Sequence, residues 1–436
     1  MWAPPRCSRL ASTLRAMTVR RPYSSNVARI KAPSAITCQL PRTRPSNRSI
    51  QCSAHYSAQA VQQTDPISQD LERTTTPDLS PIWLRDICPC EHCVDPSSGQ
   101  KKFWTVDIPS DIQIKSHQTL PDGTHEYTWT HDLPNMPADH TTRIHPSTLP
   151  STLAGPSLSS LPQRPWTAST LSLYSTSYES YLTSPTTFRE ALSALHRDGL
   201  IFLTSVPESE SSVTSIAERI GPVRNTFYGF SWDVRSVPKA RNVAYTSGHL
   251  GFHQDLLYMA DPPRLQFLHC LRSSAAGGAS LFTDAYRAVV ELHDQDLTAF
   301  EDLARLRTTY HYVKEGKHYT QSRRTIEFDE QAGTVLEGIR DVNWSPPFQG
   351  PFTGLETEDD VARWHAAARK FRDLTEREGS VFERMMKPGE CVIFDNKRVL
   401  HARTAFEPGD VGKERWLKGC YVDGDPYWSA LRQLTK

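Results

Sequence analysis

The tract Gly251-Phe252-His253-Gln254-Asp255 sets an imidazole and a carboxylate two positions apart. In an extended strand residues i and i+2 share a face, so His253 and Asp255 can address one ion together. A histidine from a second strand would complete a two-histidine, one-carboxylate face, the donor set that holds non-haem Fe(II) and leaves coordination positions open. His401 is the candidate, because it follows the apolar strand pattern Cys391-Val392-Ile393-Phe394, a turn at Asp395-Asn396, and Val399-Leu400. Farther on, alternation along Arg415-Trp416-Leu417-Lys418-Gly419-Cys420-Tyr421 puts Arg415, Leu417 and Tyr421 on one face. A guanidinium set among apolar side chains needs an anion, and its planar fork suits a carboxylate. Jointly these residues describe an Fe(II) site with 2-oxoglutarate bound beside it. The chain carries a second His-x-Asp, His196-Arg197-Asp198, directly before Gly199. It closes a helical pattern, where i and i+2 diverge by about 200°, and reads as a polar helix end.

Three of the nine cysteines cluster in Cys88-Pro89-Cys90-Glu91-His92-Cys93. In a reducing compartment such spacing favours metal over disulfide, and three thiolates can share a tetrahedral zinc if a fourth ligand arrives from elsewhere. His92, His131 and His140 are the candidates, with His92 constrained by its place between two ligands. Cys270, Cys391 and Cys420 stand singly in apolar stretches and read as core thiols.

The elements that must position these groups are mostly strands. Leu200-Ile201-Phe202-Leu203 reads as a buried strand after a helix that runs from Thr187 to near Gly199, and helices are expected near 285–304 and 358–378. Elsewhere from 181 to the end short strands dominate, so a β-barrel or sandwich with helical buttresses fits best. Between 76 and 150 the alternating segments Phe103-Trp104-Thr105-Val106 and Glu126-Tyr127-Thr128-Trp129 predict a small β-rich zinc-binding domain. Residues 151–180, dense in Ser, Thr and Pro, read as a linker or wrapping loop.

The 436 residues balance 49 Lys+Arg against 49 Asp+Glu, which gives no nucleic-acid footprint, and no apolar run reaches the length a bilayer span needs. The balance hides an asymmetry: the first carboxylate is Asp65, and ten basic side chains precede it. Leu10, Leu14 and Met17 recur at helical spacing between arginines, which is the composition of a mitochondrial presequence. Cleavage is expected after Tyr23, with a disordered linker over 24–75 and a mitochondrial matrix location.

From Trp83 to Leu434 the chain resembles the γ-butyrobetaine dioxygenase family, the carnitine-biosynthesis branch of the taurine-dioxygenase-like Fe(II)/2-oxoglutarate oxygenases. The residues that carry the resemblance are Trp83-Leu84-Arg85-Asp86-Ile87-Cys88-Pro89-Cys90 with Cys93, Asn242-Val243-Ala244-Tyr245, Leu265 through Cys270, Gly277-Gly278-Ala279-Ser280, and Phe394-Asp395-Asn396 leading into His401. The resemblance implies a mainly β protein with flanking helices, in which a double-stranded β-helix (jelly-roll) oxygenase domain follows the zinc domain. It implies iron on His253, Asp255 and His401, 2-oxoglutarate on Arg415 and Ser280, and zinc on Cys88, Cys90, Cys93 and His140, with His131 as rival. It further implies a trimethylammonium cage of Tyr228, Trp232 and Tyr245, O2 as co-reactant, ascorbate as reductant, succinate and CO2 as by-products, and a homodimer. At Asn242 the trimethyllysine branch has Asp; a neutral amide there favours γ-butyrobetaine, which lacks an α-ammonium. The chain departs from the family at Ser345, where an Asn for the substrate carboxylate is expected.

Overall fold

A computed structural model of the protein describes residues 79–148, 161–235 and 247–434, apart from 275, 356 and 408–413. The expected presequence and its cleavage position, the expected linker over 24–75, and the candidate site residues Asn242 and Tyr245 lie outside the described residues.

The amino-terminal part holds a helix, Pro81–Asp86, and an antiparallel sheet of β1 (Ile114–Thr119), β2 (His125–Trp129) and β3 (Thr142–Ile144) in that order. Tyr127 and Trp129 alternate inward from β2 onto Leu84, Ile108, Ile112, Leu133 and Ile144, a small core of its own. The expected strand at Phe103–Val106 does not form. Thr105–Asp107 is a single 3-10 turn, and Trp104 and Val106 face solvent. Alternation there has no partner strand to pair with.

The larger part contains β4 (Tyr174–Ser177), β5 (Leu200–Thr204), β6 (Trp232–Arg235), β7 (Leu250–His253), β8 (Leu265–Arg272) and β9 (Ser280–Asp284). Two hairpin-like pairs follow, β10 (Arg307–Lys314) with β11 (Lys317–Arg324) and β12 (Ile326–Phe328) with β13 (Ile339–Val342). The chain then returns through β14 (Phe382–Arg384), β15 (Cys391–Asp395), β16 (Val399–Arg403) and β17 (Trp416–Val422). One sheet has the order β4-β5-β15-β8-β17-β6 and the other β14-β9-β16-β7. The path β6, β7, β8, β9 therefore swaps sheets at every step, and so does β14, β15, β16, β17, which is the winding of a jelly roll.

Burial explains the strand composition. Val392 and Phe394 of β15 face the space between the sheets with Phe202, Leu268, Phe282 and Leu417. Cys391 and Ile393 face the opposite way, beneath the helices Pro185–Asp198, Ser212–Glu218 and Gly424–Arg432. With both faces covered, the strand reads as a continuous apolar run. The three lone thiols Cys270, Cys391 and Cys420 are buried. The helix Pro185–Asp198 ends at Gly199, whose φ of 73° is the left-handed conformation a helix stop favours. The helix expected near 285–304 is two, Ala285–Gln295 and Leu297–Arg305, broken at Asp296, which caps the second through the Ala299 N–H.

The linker expected over 151–180 needs correction from residue 161 onward. The Trp166 side chain is 1% exposed, and its indole N–H donates to the Asp198 carbonyl at 2.6 Å. Tyr174–Ser177 pairs with β5 in parallel. A short Ser/Thr strand at a sheet edge is held by its backbone, so its side chains carry little signal of membership.

Candidate active site and metal centres

His253 closes β7, and His401 lies opposite it in β16. The Asp255 Oδ1 stands 3.4 Å from His253 Nε2 and 4.0 Å from His401 Nε2. The three candidate donor atoms all lie within 4.8 Å of one another. Asp255 falls just beyond the strand, so side-chain alternation alone does not place it. The Asn396 side chain does, accepting from the Asp255 N–H at 2.9 Å and donating to the Asp255 carbonyl at 3.1 Å. His253 Nδ1 faces the Gly251 carbonyl at 2.9 Å, which turns Nε2 toward the site. Tyr421 donates its phenol proton to Asp255 Oδ2 at 2.7 Å.

The electrostatics prepare these groups as ligands. Burial, with the neighbouring His253, pushes His401 down to about 3. Burial on its own would raise Asp255, but the facing His253 and His401 and the Tyr421 phenol hold it well below the usual carboxylate range. A metal takes histidine neutral and carboxylate ionised, and both shifts run that way. Two nitrogens and one carboxylate oxygen converging from two strands fit Fe(II) with open positions.

A cavity of about 60 Å³ joins this triad to Ser280, Trp232, Gln266, Arg403 and Arg415. Arg415 directly precedes β17, is 5% exposed, and donates a hydrogen bond to none of the described residues. Its guanidinium lies over the Phe406 ring at 5.6 Å. Burial lowers its pKa to about 10. The nearby Cys270 thiol is pushed up to about 12 by its own burial, so it offers Arg415 no negative charge at neutral pH. Gly278, at a φ of 78°, leaves room for it, because a Cβ there would stand 3.2 Å from Arg415 Cδ and Nε.

Trp232 forms part of the cavity wall, its ring against Tyr421 at 5.2 Å and over Gly419, where a Cβ would come within 2.5 Å of the indole. Tyr228 stands outside that wall. Its ring packs on Phe227 at 4.1 Å, and its hydroxyl is 3.4 Å from that of Tyr258, in a cluster with Tyr312 and Tyr319. Ser345 is 1% exposed, its Oγ meets no partner among the described residues, and it does not line the cavity. His196 and Asp198 belong to no metal-ligand group among the described residues; Asp198 pairs instead with Arg164 and Arg197.

The sequence reading missed Asn396 as a clamp, Tyr421 as a partner of Asp255, and Arg403 and Gln266 as cavity walls. Signals existed for two of them. Tyr421 shares the face of Arg415, and Arg403 is two residues from His401.

The cysteine cluster closes on His140. Its Nε2 lies 3.6 Å from Cys88 Sγ and 3.4 Å from the Sγ of Cys90 and Cys93. A tetrahedral zinc with bonds of about 2.3 Å to sulfur and about 2.0 Å to nitrogen separates those atoms by about 3.5 Å. Asp132 Oδ2 holds His140 Nδ1 at 2.7 Å, while Arg85 donates to Asp132 Oδ1 at 2.6 Å and to Cys93 Sγ at 3.3 Å. The rival His131 is exposed and sits 2.9 Å from Asp111.

Comparison with known proteins shows the family to which the chain is similar. The profile described as "Taurine catabolism dioxygenase TauD, TfdA family" matches residues 161–421. One described as "Gamma-butyrobetaine hydroxylase-like, N-terminal" matches residues 44–132. Dioxygenase str8 of Strobilurus tenacellus is 37% identical over 81% of this chain and 84% of its own. Gamma-butyrobetaine dioxygenase of Pseudomonas sp. (strain AK-1) is 31% identical over 81% and 90%. Trimethyllysine dioxygenase of Meyerozyma guilliermondii is 25% identical over 85% and 94%.

Proposed function

Because the chain belongs to the TauD, TfdA family of dioxygenases, we propose that it hydroxylates a small quaternary amine, γ-butyrobetaine, to L-carnitine with Fe(II) and 2-oxoglutarate. The observation that carries this reading is the pairing of an open two-histidine, one-carboxylate face with a buried, unanswered Arg415 in one cavity. Iron and 2-oxoglutarate, when bound, supply oxidation of a substrate C–H bond by O2, with release of succinate and CO2. His253, Asp255 and His401 would hold the metal, and the Arg415 fork would take the far carboxylate of the co-substrate, with Ser280 beside it. Asn396 fixes the Asp255 backbone, and the apolar walls, Leu268, Phe282 and Leu417, exclude water.

The quaternary amine is supported by the indole of Trp232 in the cavity wall, since a trimethylammonium donates no hydrogen bond and is best met by aromatic faces. Relatives named for γ-butyrobetaine and for trimethyllysine support the same class. A second reading, a different quaternary amine, is favoured by Ser345, since a short hydroxyl replaces the amide expected for the substrate carboxylate and it does not line the cavity. Cys88, Cys90, Cys93 and His140 would hold a structural zinc, since four protein ligands leave no position open. The acid-free basic segment before Asp65 supports a mitochondrial destination.

The test is a panel of quaternary amines offered to the purified protein, with succinate and hydroxylated product quantified. γ-Butyrobetaine should turn over at least roughly tenfold faster than trimethyllysine, and Asn242→Asp should erode that preference. Equal or better use of trimethyllysine by the unaltered chain would overturn the assignment.

A further inference from the structure

We infer that Tyr421 is a positioning residue that restricts Asp255 to a single metal-facing oxygen. The two oxygens of Asp255 have different neighbours. Oδ1 faces His253 Nε2 at 3.4 Å and His401 Nε2 at 4.0 Å, whereas Oδ2 accepts the Tyr421 phenol proton at 2.7 Å. A carboxylate free to rotate can offer both oxygens to an ion and fill two coordination positions. A donor fixed on one oxygen prevents this, and partners of that kind tune the ligands they hold. The position so preserved is one that O2 or substrate chemistry at the metal requires.

The phenol is itself immobile. Tyr421 is 3% exposed and lies in the body of β17, which is paired with β8 on one side and β6 on the other. Its ring abuts Trp232 at 5.2 Å, and Trp232 rests on Gly419. Residues 417, 419 and 421 share one face of the strand, and Arg415, directly before it, lines the same cavity as Leu417. One strand and the residue that leads into it thus present the carboxylate anchor, the seat of the aromatic wall and the phenol that orients the iron ligand. The wall that would meet a substrate and the carboxylate that would meet the iron have Tyr421 in common.

The inference rests on the triad holding iron, and the experiment separates the two. Mn(II), a probe visible to electron paramagnetic resonance, is titrated into the full chain, into Tyr421→Phe and into Tyr181→Phe. Tyr181 is a buried tyrosine of another element, whose hydroxyl meets the Ile216 carbonyl, and it controls for loss of a buried phenol as such. Wild type and Tyr181→Phe should bind with equal affinity and the same spectrum. Tyr421→Phe should bind roughly tenfold more weakly with an altered spectrum, while its metal-free melting temperature stays close to wild type. Wild-type affinity and spectrum in Tyr421→Phe would overturn the positioning role. A wild-type chain that binds no Mn(II) or Fe(II) would overturn the triad first and this role with it. Should the phenylalanine variant not fold, 3-fluorotyrosine at position 421 keeps the shape and strengthens the donor. It should shift the Mn(II) spectrum, and an unshifted spectrum would count against the inference.

Discussion

Replacing Arg415 by methionine should move activity and stability in opposite directions. The side chain is 5% exposed, donates to no described residue, and has its pKa lowered from 12.5 to about 10 by burial. A depressed pKa on a cation means the unfolded chain holds the proton more tightly than the folded one, so at neutral pH the buried charge opposes folding. At 1.36 kcal/mol per pKa unit the opposition is about 3 kcal/mol. Methionine keeps an apolar stem against Phe406 and removes the charge. The ligand-free protein should therefore gain up to that amount, seen as a melting temperature a few degrees higher. Binding should suffer in return. Two charge-assisted hydrogen bonds to a carboxylate contribute about 1.5–3 kcal/mol each, so a loss of about 3–4 kcal/mol is a conservative expectation, a few hundredfold in 2-oxoglutarate affinity. Arg415→Lys keeps a point charge without the fork and should fall between. The assay pairs calorimetry of the ligand-free variants with anaerobic 2-oxoglutarate titration of the Fe(II) forms. A methionine variant that is less stable yet binds 2-oxoglutarate normally would refute the view that Arg415 is held strained for an anion.

Three further outcomes follow from the same structure. His253→Ala removes one of three protein ligands and should abolish Fe(II)-dependent succinate formation with the fold intact; wild-type turnover would remove the triad. Metal analysis should find about one zinc per chain that survives iron removal, and Cys90→Ser should lower the melting temperature more than the turnover number; a zinc-free preparation of undiminished stability would end the structural-zinc reading. His196 and His269 are buried neutral, each lowered from 6.5 to about 4, chiefly by burial. Above pH 6.5 neither protonates in either state, but as pH falls toward 4 only the unfolded chain takes up the proton. Stability should drop by up to about 3 kcal/mol per histidine over that interval, and His269→Leu should show a visibly shallower acid slope in urea unfolding, an expectation that equal slopes would defeat.

What the sequence disclosed depended on whether a side chain's neighbours are set by period or by long-range pairing. His253, His401 and Arg415 sit at or beside strand positions where alternation and apolar flanks already fix the face, and they converge on one cavity. The helix stop at Gly199 and the continuous apolar run of β15 were legible for the same local reason. His140 and His131 could not be separated by spacing. Choosing between them requires knowing that Asp132, held by Arg85, reaches His140 Nδ1. Trp104 and Val106 show the converse, an alternating tract with no neighbouring strand to pair with.

The jelly roll itself supplies the reason the candidate iron ligands are so far apart in sequence. His253 and His401 are separated by 148 positions yet lie opposite each other, because β7 and β16 are neighbours only after the chain has crossed between the sheets several times. Asp255 lies past the end of β7, and its backbone is clamped by Asn396 from the turn that links β15 to β16. That turn therefore has two tasks, reversing the chain so that His401 faces inward and fixing the carboxylate that His401 must meet. A substitution such as Asn396→Ala would leave both histidines in register while freeing Asp255. Metal affinity should consequently fall at Asn396 as it should at Tyr421, from the backbone side in one case and from the carboxylate in the other, so that two residues outside the candidate triad would decide whether its three ligands close on a metal.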